Sequence, residues 1–496
     1  MLNIKRKMKA GLELHIMPTK INTKIFSNSA IDTANLVPNQ NVDCFELGMP
    51  GALPILNEKF LEYSIKLAKA LNCQINKRSQ FYNKLYRYQD LPCRQITQTE
   101  FPIASHGLLK IYVTENQSKY PRLQKENNIE YFLAEINRIH IEHDAGRLLY
   151  DISDEYTAID YNRCGNGLLE IVTEPCFESM DEVIRFLQTV RNIVRILDIS
   201  ECDMSKGEMR ADLNFSVCNK DGSYGKRVEI KNLNSYNFIY KAGLYEYERH
   251  CQLLEEGKEI KTETLAYDDK RNCTFSMRAK EDALDYRYFP NHDLPILELT
   301  EKDLAIELPK LPQEIYADLL NLNVINKYAE VISNEKLYTY FFYQVIQELK
   351  IEKKAHIYSE VAKWMIGDLL GLLKEFNSID KYLYNSTLIR YFAEIITYLD
   401  TGYISGKSGK LLLKLAVLEE KNPEQAIKEL GLQQISDIQR LQNLVQEILQ
   451  EFPKEVAAYK AGKINLSMLF MQKCLSTMPN ANPVILSEII QNELKK

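Results

Sequence analysis

Long apolar runs, paired cysteines and an excess of positive charge are all missing from this chain of 496 residues. No stretch of about 18 apolar residues occurs, so we expect no membrane-spanning helix. Glu13 and His15 interrupt the apolar core that a secretory signal would need, which argues against export. The ten cysteines include no CxxC pair, which favours reduced thiols in a cytoplasmic or organelle-matrix compartment. The net charge of −6 excludes a positive field over the whole molecule, so any nucleic-acid contact must be local.

The residue pattern predicts an α+β protein of three domains. Apolar residues make up 45% and charged residues 26% of the chain, as in ordinary globular proteins, whose domains average about 150 residues. The first 295 residues mix helical periods, such as those over 57–71 and 180–197, with short alternating runs. Beyond a proline-rich stretch the pattern is helical, with a period of 3.6 residues over segments such as 359–376. A polar break with three glycines at 401–410 precedes a short helical tail. The predicted domains are therefore 1–295, 296–408 and 409–496.

Several short runs place apolar residues on one face of a strand and unusual polar residues on the other. Side chains alternate between the two faces of a strand, so residues of equal parity share a face. The polar sets are Glu13 and His15; Arg138, His140 and Glu142; Glu170 and Glu174; Arg210, Asp212, Asn214 and Ser216; and Arg227, Glu229 and Lys231. The pattern predicts a sheet that gathers this chemistry on one face.

Two interpretations of the polar face stay open. Alternation alone is typical of an antiparallel sheet whose outer face is solvated. Histidines, acids and compensating charge pairs instead favour a cradle for a charged ligand, because acids and histidines suit a divalent metal while Arg and Lys suit phosphate. The turn at 143–147 would form its rim. His15 and His140 also allow a nitrogen-rich zinc site, although their spacing matches no zinc-protease motif.

Longer motifs make the chain recognisable. They are CFELGMPGALPILN (44–57), HIEHDAGR (140–147), LLEIVTEP (168–175), GEMRADLNFSV (207–217), VEIKNLNS (228–235) and DYRYFP (285–290). In this order they resemble the motifs of the GatB family, which belongs to the aspartyl/glutamyl-tRNA amidotransferases. The similarity runs from GLELH (11–15) to YKAGK (459–463), which is essentially the entire chain.

The resemblance implies an architecture and an activity. The implied architecture is an N-terminal cradle of mixed antiparallel sheet and helices, a helical domain and a small YqeY-like tail. The implied activity is ATP-dependent phosphorylation of the side-chain carboxylate of misacylated Glu-tRNA(Gln), Asp-tRNA(Asn) or both, because phosphorylation turns a carboxylate oxygen into a leaving group that ammonia can displace. The implied partners are the amidase subunit GatA, which supplies ammonia, the small subunit GatC, and the tRNA; no membrane is implied.

The family motifs also imply roles for individual residues. Glu13, His15 and Glu170 would bind Mg²⁺ or Mn²⁺, and His143 stands where the family has a further metal-site acid. The implied nucleotide and acyl contacts are Lys84, Tyr86, Tyr88, Arg210, Asp212, Asn214, Glu229, Lys231, Asn234 and Ser235, with Arg287 and Tyr288 in a nearby loop. The alternative for Asn234 and Ser235 is a cap for a helix that begins near Tyr236. The alternative for Glu229 and Lys231 is an ion pair on the strand face.

The chain departs from the family at four of the positions assigned to the site. His143 replaces the second glutamate of an HxEED motif, which should weaken Mg²⁺ relative to Mn²⁺ or Zn²⁺, and Glu142 would substitute only if the strand turned over. Tyr82 and Asn83 replace an Asp-Arg pair, and Arg94 lies near a family tyrosine. These changes open two further hypotheses: a divergent paralogue that binds tRNA without kinase activity, or an ATP-dependent ligase that activates a different carboxylate.

Two expectations concern zinc and tRNA. Many relatives hold zinc with a CxC and CxxC set, whereas this chain has Ser27, Ser29, Asp43 and Glu46 at those places, so we expect no structural zinc. Between residues 454 and 496 six lysines stand against three glutamates, a local charge of +3. This excess favours tRNA phosphate contacts through Lys460, Lys463 and Lys473, and a solvated helical face is the alternative.

Overall fold

The computed structural model describes residues 6–31, 37–85, 88–114, 117–126, 129–219, 221–279, 287–349, 355–375, 379–463 and 465–495. The chain forms two compact units, Met1–Ile315 and Tyr316–Lys496. All strands that the structure describes belong to the first unit, and the second is helical, which confirms the predicted α+β class. None of the described helices combines the length and apolar character needed to cross a membrane.

The first unit contains seventeen described strands, most of them short. They are β1 Met8–Ile16, β2 Gln74–Ile75, β3 Arg78–Ser79, β4 Tyr82–Lys84, β5 Gln95–Thr97, β6 Ala104–Val113, β7 Gln124–Glu126, β8 Ile129–His143, β9 Arg147–Leu149, β10 Ala158–Asp160, β11 Gly167–Thr173, β12 Met209–Val217, β13 Val228–Leu233, β14 Glu263–Asp268, β15 Cys273–Ala279, β16 Phe289–Pro290 and β17 Leu297–Glu298. Two 3₁₀ turns lie at Gln117–Lys119 and Met204–Lys206.

Ten of these strands form one sheet. Its order is β15-β14-β13-β12-β1-β11-β8-β6-β2, with β7 paired to β8. Of its described pairs, β13 and β14 run parallel and the others are antiparallel. The remaining strands form three small sheets, β16-β4-β5, β17-β3 and β10-β9. Strand β1 lies between β11 and β12, so the polar residues of three predicted runs meet around it.

One face of the sheet carries the core. Leu12, Leu14 and Ile16 of β1 are at most 1% exposed, and β12 alternates strictly between buried apolar and half-buried polar residues. Three helices pack against strands of this sheet: α1 Glu58–Ala70, α2 Met180–Ile196 and α3 Tyr236–Glu255. These helices have side-chain caps at Asn57, Ser179 and Ser235. The opposite face is left for polar groups.

The helical unit is built from short segments. Helix α4 Glu301–Leu304 belongs to the first unit, and the division at residues 315 and 316 falls within α5 Pro312–Asn321. The helices that follow are α6 Asn326–Ser333, α7 Lys336–Glu348, α8 Ala355–Trp364, α9 Leu370–Leu373, α10 Ile379–Leu383, α11 Ser386–Asp400, α12 Gly406–Leu418, α13 Pro423–Leu430, α14 Ile438–Glu451, α15 Pro453–Lys460, α16 Leu466–Thr477 and α17 Pro483–Lys495. Between α8 and α9 the chain forms a π-helix, Met365–Leu369, where periodicity alone predicts one continuous helix. Buried apolar residues between 441 and 494 pack into one core. The predicted domain boundary between residues 408 and 409 stays a prediction.

Candidate metal and nucleotide site

The register of β1 brings the predicted polar sets together. Glu13 is opposite Asp212 on β12, and His15 is opposite Glu170 on β11. Glu170 is in turn opposite His140 on β8. Side chains of directly opposed residues on one face lie about 5 Å apart at their Cβ atoms, so four strands, β1, β8, β11 and β12, bring their polar groups to one region. The structure thus supports the cradle over a merely solvated face.

The first group, called the histidine cluster, consists of His15, His140, Glu142 and Glu170. His140 Nε2 lies 2.8 Å and His15 Nε2 3.3 Å from the same oxygen, Oε2 of Glu170. His15, Glu142 and Glu170 each offer a ligand atom, and these atoms all lie within 4.8 Å of one another. Two carboxylates and an imidazole suit Mn²⁺ or Zn²⁺ and are compatible with Mg²⁺.

Burial and the contacts between these groups shift their pKa values in opposite directions. Burial opposes charging of His15, but the nearby Glu170 carboxylate outweighs it and raises the pKa of His15 to about 9. Burial also opposes ionisation of Glu170, yet His140 and His15 hold its pKa well below the ordinary value. Burial and the Glu170 charge raise the pKa of Glu142. Without a bound cation Glu170 therefore stays ionised beside a protonated His15, and a metal ion that used His15 as a ligand would have to displace that proton.

The second group, called the acid cluster, consists of Glu13, Asp212 and Glu229, whose ligand oxygens also lie within 4.8 Å of one another. Asn214 donates a hydrogen bond of 3.0 Å to Glu13. Lys231 Nζ lies 2.6 Å from Asp212 and 2.8 Å from Glu229. Burial lowers the pKa of Lys231, but the two carboxylates outweigh it and raise the pKa. Three hard carboxylates fit Mg²⁺, and the lysine acts as their counter-ion in this structure.

Both clusters face one large cavity of about 1100 Å³, called the main cavity. Basic side chains from several elements line it together with the acids: Lys77, Arg78, Lys84, Arg138 and Lys231. Tyr288 of the predicted DYRYFP loop lines it as well. Acids that suit cations and bases that suit phosphate or carboxylate therefore share one compartment.

The structure corrects the assignment of His143. Its side chain is fully buried on the core side of β8, where its ring packs edge-on against Phe26. Ile96 N–H donates to His143 Nε2 at 3.1 Å, and burial lowers the pKa of His143 to about 4. Glu142, one residue earlier, faces the main cavity without any turning of the strand, and Gln95 donates a hydrogen bond to it. Glu142 therefore replaces His143 in the candidate ligand set, because alternate residues of a strand point to opposite faces.

The other departures from the family pattern also lie away from the ligating groups. Tyr82 is 6% exposed, and its hydroxyl donates to Glu100. Asn83 is buried and accepts a hydrogen bond of 2.9 Å from Asn291. Arg94 has a φ of 65°, and its carbonyl oxygen lies 2.8 Å from His143 Nε2. Among the described residues that line the main cavity, neither these three nor His143 occurs.

The remaining predicted residues fall into three groups. Arg210 forms an ion pair with Asp144, which lies in the turn that follows β8. This contact places Arg210 at the border of the site. Ser235 accepts a hydrogen bond of 3.1 Å from Phe238 N, which confirms its alternative role as the cap of α3, and Asn234 beside it is exposed. Tyr86 lies outside the described residues, Tyr88 is 40% exposed, and Arg287 is exposed.

The four positions that the family resemblance assigns to a zinc-binding set form a polar cluster here. Ser27 and Ser29 both donate hydrogen bonds to Glu46, and the Asp43 backbone N–H does so at 2.6 Å. The Lys24 ammonium, itself fully buried, lies 3.7 Å from Glu46. Hydrogen bonds and one charge contact thus link the segments around residues 24–29 and 43–46.

Sequence reasoning missed part of the cavity wall. Asn76, Gln98, Ser105 and His106 line the main cavity beside the predicted residues, and Gln98 Oε1 accepts from Ile141 N at 3.1 Å. Ser105 and His106 lie at the start of the long strand β6, and Asn76 and Gln98 follow the short strands β2 and β5, where polarity is typical of any surface. For β8, the alternation of Arg138, His140 and Glu142 in the sequence was the signal that predicted a shared polar face.

Comparison with known proteins identifies the family of this chain. A family model described as the GatB/GatE catalytic domain matches residues 8–305, and a second, described as the GatB domain, matches residues 341–494. The chain belongs to the GatB family. It is 38% identical to a protein of Persephonella marina over 98% of both chains, and 36% identical to one of Trichodesmium erythraeum over 99% of both. Both relatives are named as the GatB-type subunit of aspartyl/glutamyl-tRNA(Asn/Gln) amidotransferase. The two matched segments do not test the predicted bounds 1–295, 296–408 and 409–496, which stay a prediction.

Proposed function

We propose that this chain is the ATP-dependent kinase and tRNA-binding subunit of a glutamine-hydrolysing tRNA amidotransferase. Its substrates would be misacylated Glu-tRNA(Gln), Asp-tRNA(Asn) or both, converted to Gln-tRNA(Gln) and Asn-tRNA(Asn). The observation that carries the proposal is the pair of ligand groups, the histidine cluster and the acid cluster, facing one cavity that basic side chains also line. Phosphoryl transfer to a carboxylate requires this combination, because negative charge must be neutralised on both reactants.

Each part of the cavity has a role in this proposal. His15, Glu142 and Glu170 would hold one divalent cation, and Glu13, Asp212 and Glu229 a second. Cations bound there would neutralise phosphate oxygens and the charge that develops during transfer. His140 acts as a positioning residue, since its contact of 2.8 Å fixes the Glu170 carboxylate. Lys84 and Arg138 line the same cavity and would orient the substrate carboxylate by charge pairing.

The proposal includes partners and a compartment. The amidase subunit GatA would supply ammonia and the small subunit GatC would complete the complex, in a bacterial cytoplasm or an organelle matrix. Lys460, Lys463 and Lys473 of the tail are all exposed, as phosphate contacts require. A paralogue without kinase activity finds less support, because the departures at Tyr82, Asn83, Arg94 and His143 lie outside the described cavity lining.

The test is a reconstitution of the full chain with GatA and GatC. Transfer of ³²P from [γ-³²P]ATP and formation of Gln-tRNA from Glu-tRNA(Gln) are measured together, with the Asp-tRNA(Asn) reaction in parallel. Glu13→Gln should reduce both signals by about 100-fold or more, because it removes a ligand oxygen. Glu126→Gln, which changes an exposed strand residue paired with Lys110, is the matched control.

Two outcomes would contradict the proposal. Tight binding of misacylated tRNA without any phosphoryl transfer would favour the scaffolding paralogue. Phosphoryl transfer that occurs only with a carboxylate other than an aminoacyl-tRNA would favour the ligase with a different substrate.

A further inference from the structure

Two cysteines that are distant in the sequence meet beside the candidate site. The Sγ atoms of Cys93 and Cys164, which are 71 positions apart, lie 4.0 Å from each other. Cys164 is fully buried, whereas Cys93 is only partly buried. A disulfide has a sulfur–sulfur distance of about 2.05 Å, so an approach of about 2 Å would join the pair. Neither thiol belongs to the histidine cluster or to the acid cluster.

The turn that carries Cys164 is held in place by backbone hydrogen bonds. Cys164 N–H donates to Tyr161 O at 3.0 Å. Gly165 N–H donates to Asp144 O at 3.0 Å, and Asp144 N–H donates to Asn166 O at 2.8 Å, which ties this turn to the turn after β8. Cys164 therefore offers a buried sulfur in a fixed position.

Cys93 lies in a more exposed turn before β5. Arg94 N–H donates to Leu91 O at 3.2 Å, which closes this turn. Arg94 has a φ of 65°, in the left-handed region that residues other than glycine rarely adopt. Because Cys164 is fixed and fully buried, the approach of the two sulfurs would move mainly Cys93 and the residues next to it.

The segment that follows Cys93 contacts the histidine cluster. Gln95, two positions after Cys93, donates a hydrogen bond from Nε2 to Glu142 Oε1. Hydrogen-bond partners of a metal-ligating carboxylate fix its orientation and so influence the affinity for the metal. A displacement of Cys93 would therefore act on the orientation of Glu142.

We propose that Cys93 and Cys164 form a thiol oxidation site, whose disulfide loosens the hold of Gln95 on Glu142 and weakens cation binding at the histidine cluster. The oxidant is a peroxide. This inference rests on the cation site of the proposed function. In a reducing compartment the disulfide would form transiently and return to thiols.

Hydrogen peroxide balances the reaction. Contact with Cys93 and burial raise the pKa of the Cys164 thiol, so the first attack falls to Cys93. The Cys93 thiolate attacks one oxygen of the peroxide: an S–O bond forms, the O–O bond breaks, and the leaving hydroxide takes up the proton lost by Cys93 to become water. Cys164 then attacks the sulfur of the sulfenic acid: the S–S bond forms, the S–O bond breaks, and hydroxide leaves with the Cys164 proton as a second water. The two thiols lose two electrons, and the peroxide gains them.

The test treats the full chain with hydrogen peroxide, blocks the remaining thiols with N-ethylmaleimide and maps linked peptides by mass spectrometry. We expect a crosslink between Cys93 and Cys164 that a phosphine reductant reverses. Cys93→Ser and Cys164→Ser should each abolish it, and Cys44→Ser, which removes an exposed thiol, is the matched control that should keep it.

The second readout is Mn²⁺ affinity, measured by calorimetry on the same samples after the oxidant is removed. The oxidised wild type should bind Mn²⁺ about tenfold more weakly than the reduced wild type, because Glu142 loses a fixed hydrogen-bond partner. Peroxide-treated and untreated Cys93→Ser should have equal affinities.

The outcomes separate the thiol pair from the cation site. A crosslink with unchanged Mn²⁺ affinity, or oxidation of Cys44 without any crosslink between Cys93 and Cys164, would overturn the inference, while Mn²⁺ binding by the reduced chain keeps the cation site. An equal loss of affinity in peroxide-treated Cys93→Ser would also overturn it, because oxidation would then act elsewhere. Absence of Mn²⁺ binding by the reduced wild type would overturn the proposed cation site itself.

Discussion

His15 lies directly opposite Glu170 in the pairing of β1 with β11, and its Nε2 atom is 3.3 Å from Glu170 Oε2. The two residues are more than 150 positions apart in the chain. Their contact depends on antiparallel pairing, whose register sets the two residues opposite each other on one face of the sheet. His140 reaches the same oxygen from the other neighbouring strand, at 2.8 Å. Glu170 is therefore the residue on which the histidine cluster converges.

Replacement of Glu170 should remove cation binding with little loss of fold. Glu170→Gln keeps the size of the side chain but removes the charge that two histidines surround, so we expect Mn²⁺ affinity at the histidine cluster to fall about 100-fold or more. Mn²⁺ binding to the full chain, followed by calorimetry, checks this. Glu126→Gln is the control, and an unchanged affinity in Glu170→Gln would contradict the ligand assignment.

Replacement of His143 should instead destabilise the fold and leave cation binding unchanged. His143→Ala leaves a cavity beside Phe26 and the Ile96 N–H without its acceptor, so we expect a loss of about 2–4 kcal/mol in the free energy of unfolding. Mn²⁺ affinity of the folded variant should stay at the wild-type value. Urea unfolding and calorimetry on the same sample measure both quantities, and weaker Mn²⁺ binding with unchanged stability would restore His143 to the ligand set.

Lys231 should compete with cations for the acid cluster. Its ammonium lies 2.6 Å from Asp212 and 2.8 Å from Glu229, where a metal would need the same oxygens. In Lys231→Met without nucleotide, Mg²⁺ should therefore bind more tightly than in the wild type, by about tenfold. Lys226→Met, which removes an exposed partner of Glu259, is the control. A fall in Mg²⁺ affinity would show that the lysine supports the site in the absence of nucleotide.

The acid sensitivity of folding should depend on Glu246 of α3. This carboxylate is fully buried, with Arg249 at 2.7 Å and His250 at 3.2 Å. Burial opposes its ionisation, but hydrogen bonds from His250 and Arg249 outweigh it and lower the pKa of Glu246 below its ordinary 4.5. Its contribution to stability is therefore complete above pH 4.5 and is lost as pH falls through the folded-state pKa.

Glu246→Gln should accordingly lower the free energy of unfolding at neutral pH and flatten its decline in acid. Urea unfolding at a series of pH values from about 6 to about 3 measures this slope. Glu248→Gln, on an exposed position of the same helix, should keep the wild-type slope. An unchanged decline in Glu246→Gln would contradict the assignment.

The tail lysines should account for part of the salt dependence of tRNA binding. Each of Lys460→Ala, Lys463→Ala and Lys473→Ala should reduce the slope of log K against log salt by about 0.7–0.9, since each phosphate contact releases condensed counter-ions. Filter binding at several salt concentrations measures the slope. Lys428→Ala, an exposed lysine paired with Glu424, is the control. Equal slopes in all four variants would favour the solvated-face interpretation.

The local sequence pattern was enough to predict several helices and strands. The helix predicted over 57–71 is α1 with Asn57 as its cap, and the helix predicted over 180–197 is α2. Strict alternation in 210–217 predicted the buried face of β12. These predictions succeed because the period of apolar residues and the capping side chain are properties of neighbouring residues.

The sequence by itself determined the α+β class, the parity of each strand, the family resemblance and most of the polar residues of the cradle. Only the tertiary structure decided which of them meet. Strand order and register placed Glu142 beside His15 and Glu170, and the same register buried His143 against Phe26. The physical reason is that parity is set within one strand, whereas register is set by pairing between strands that are distant in the chain.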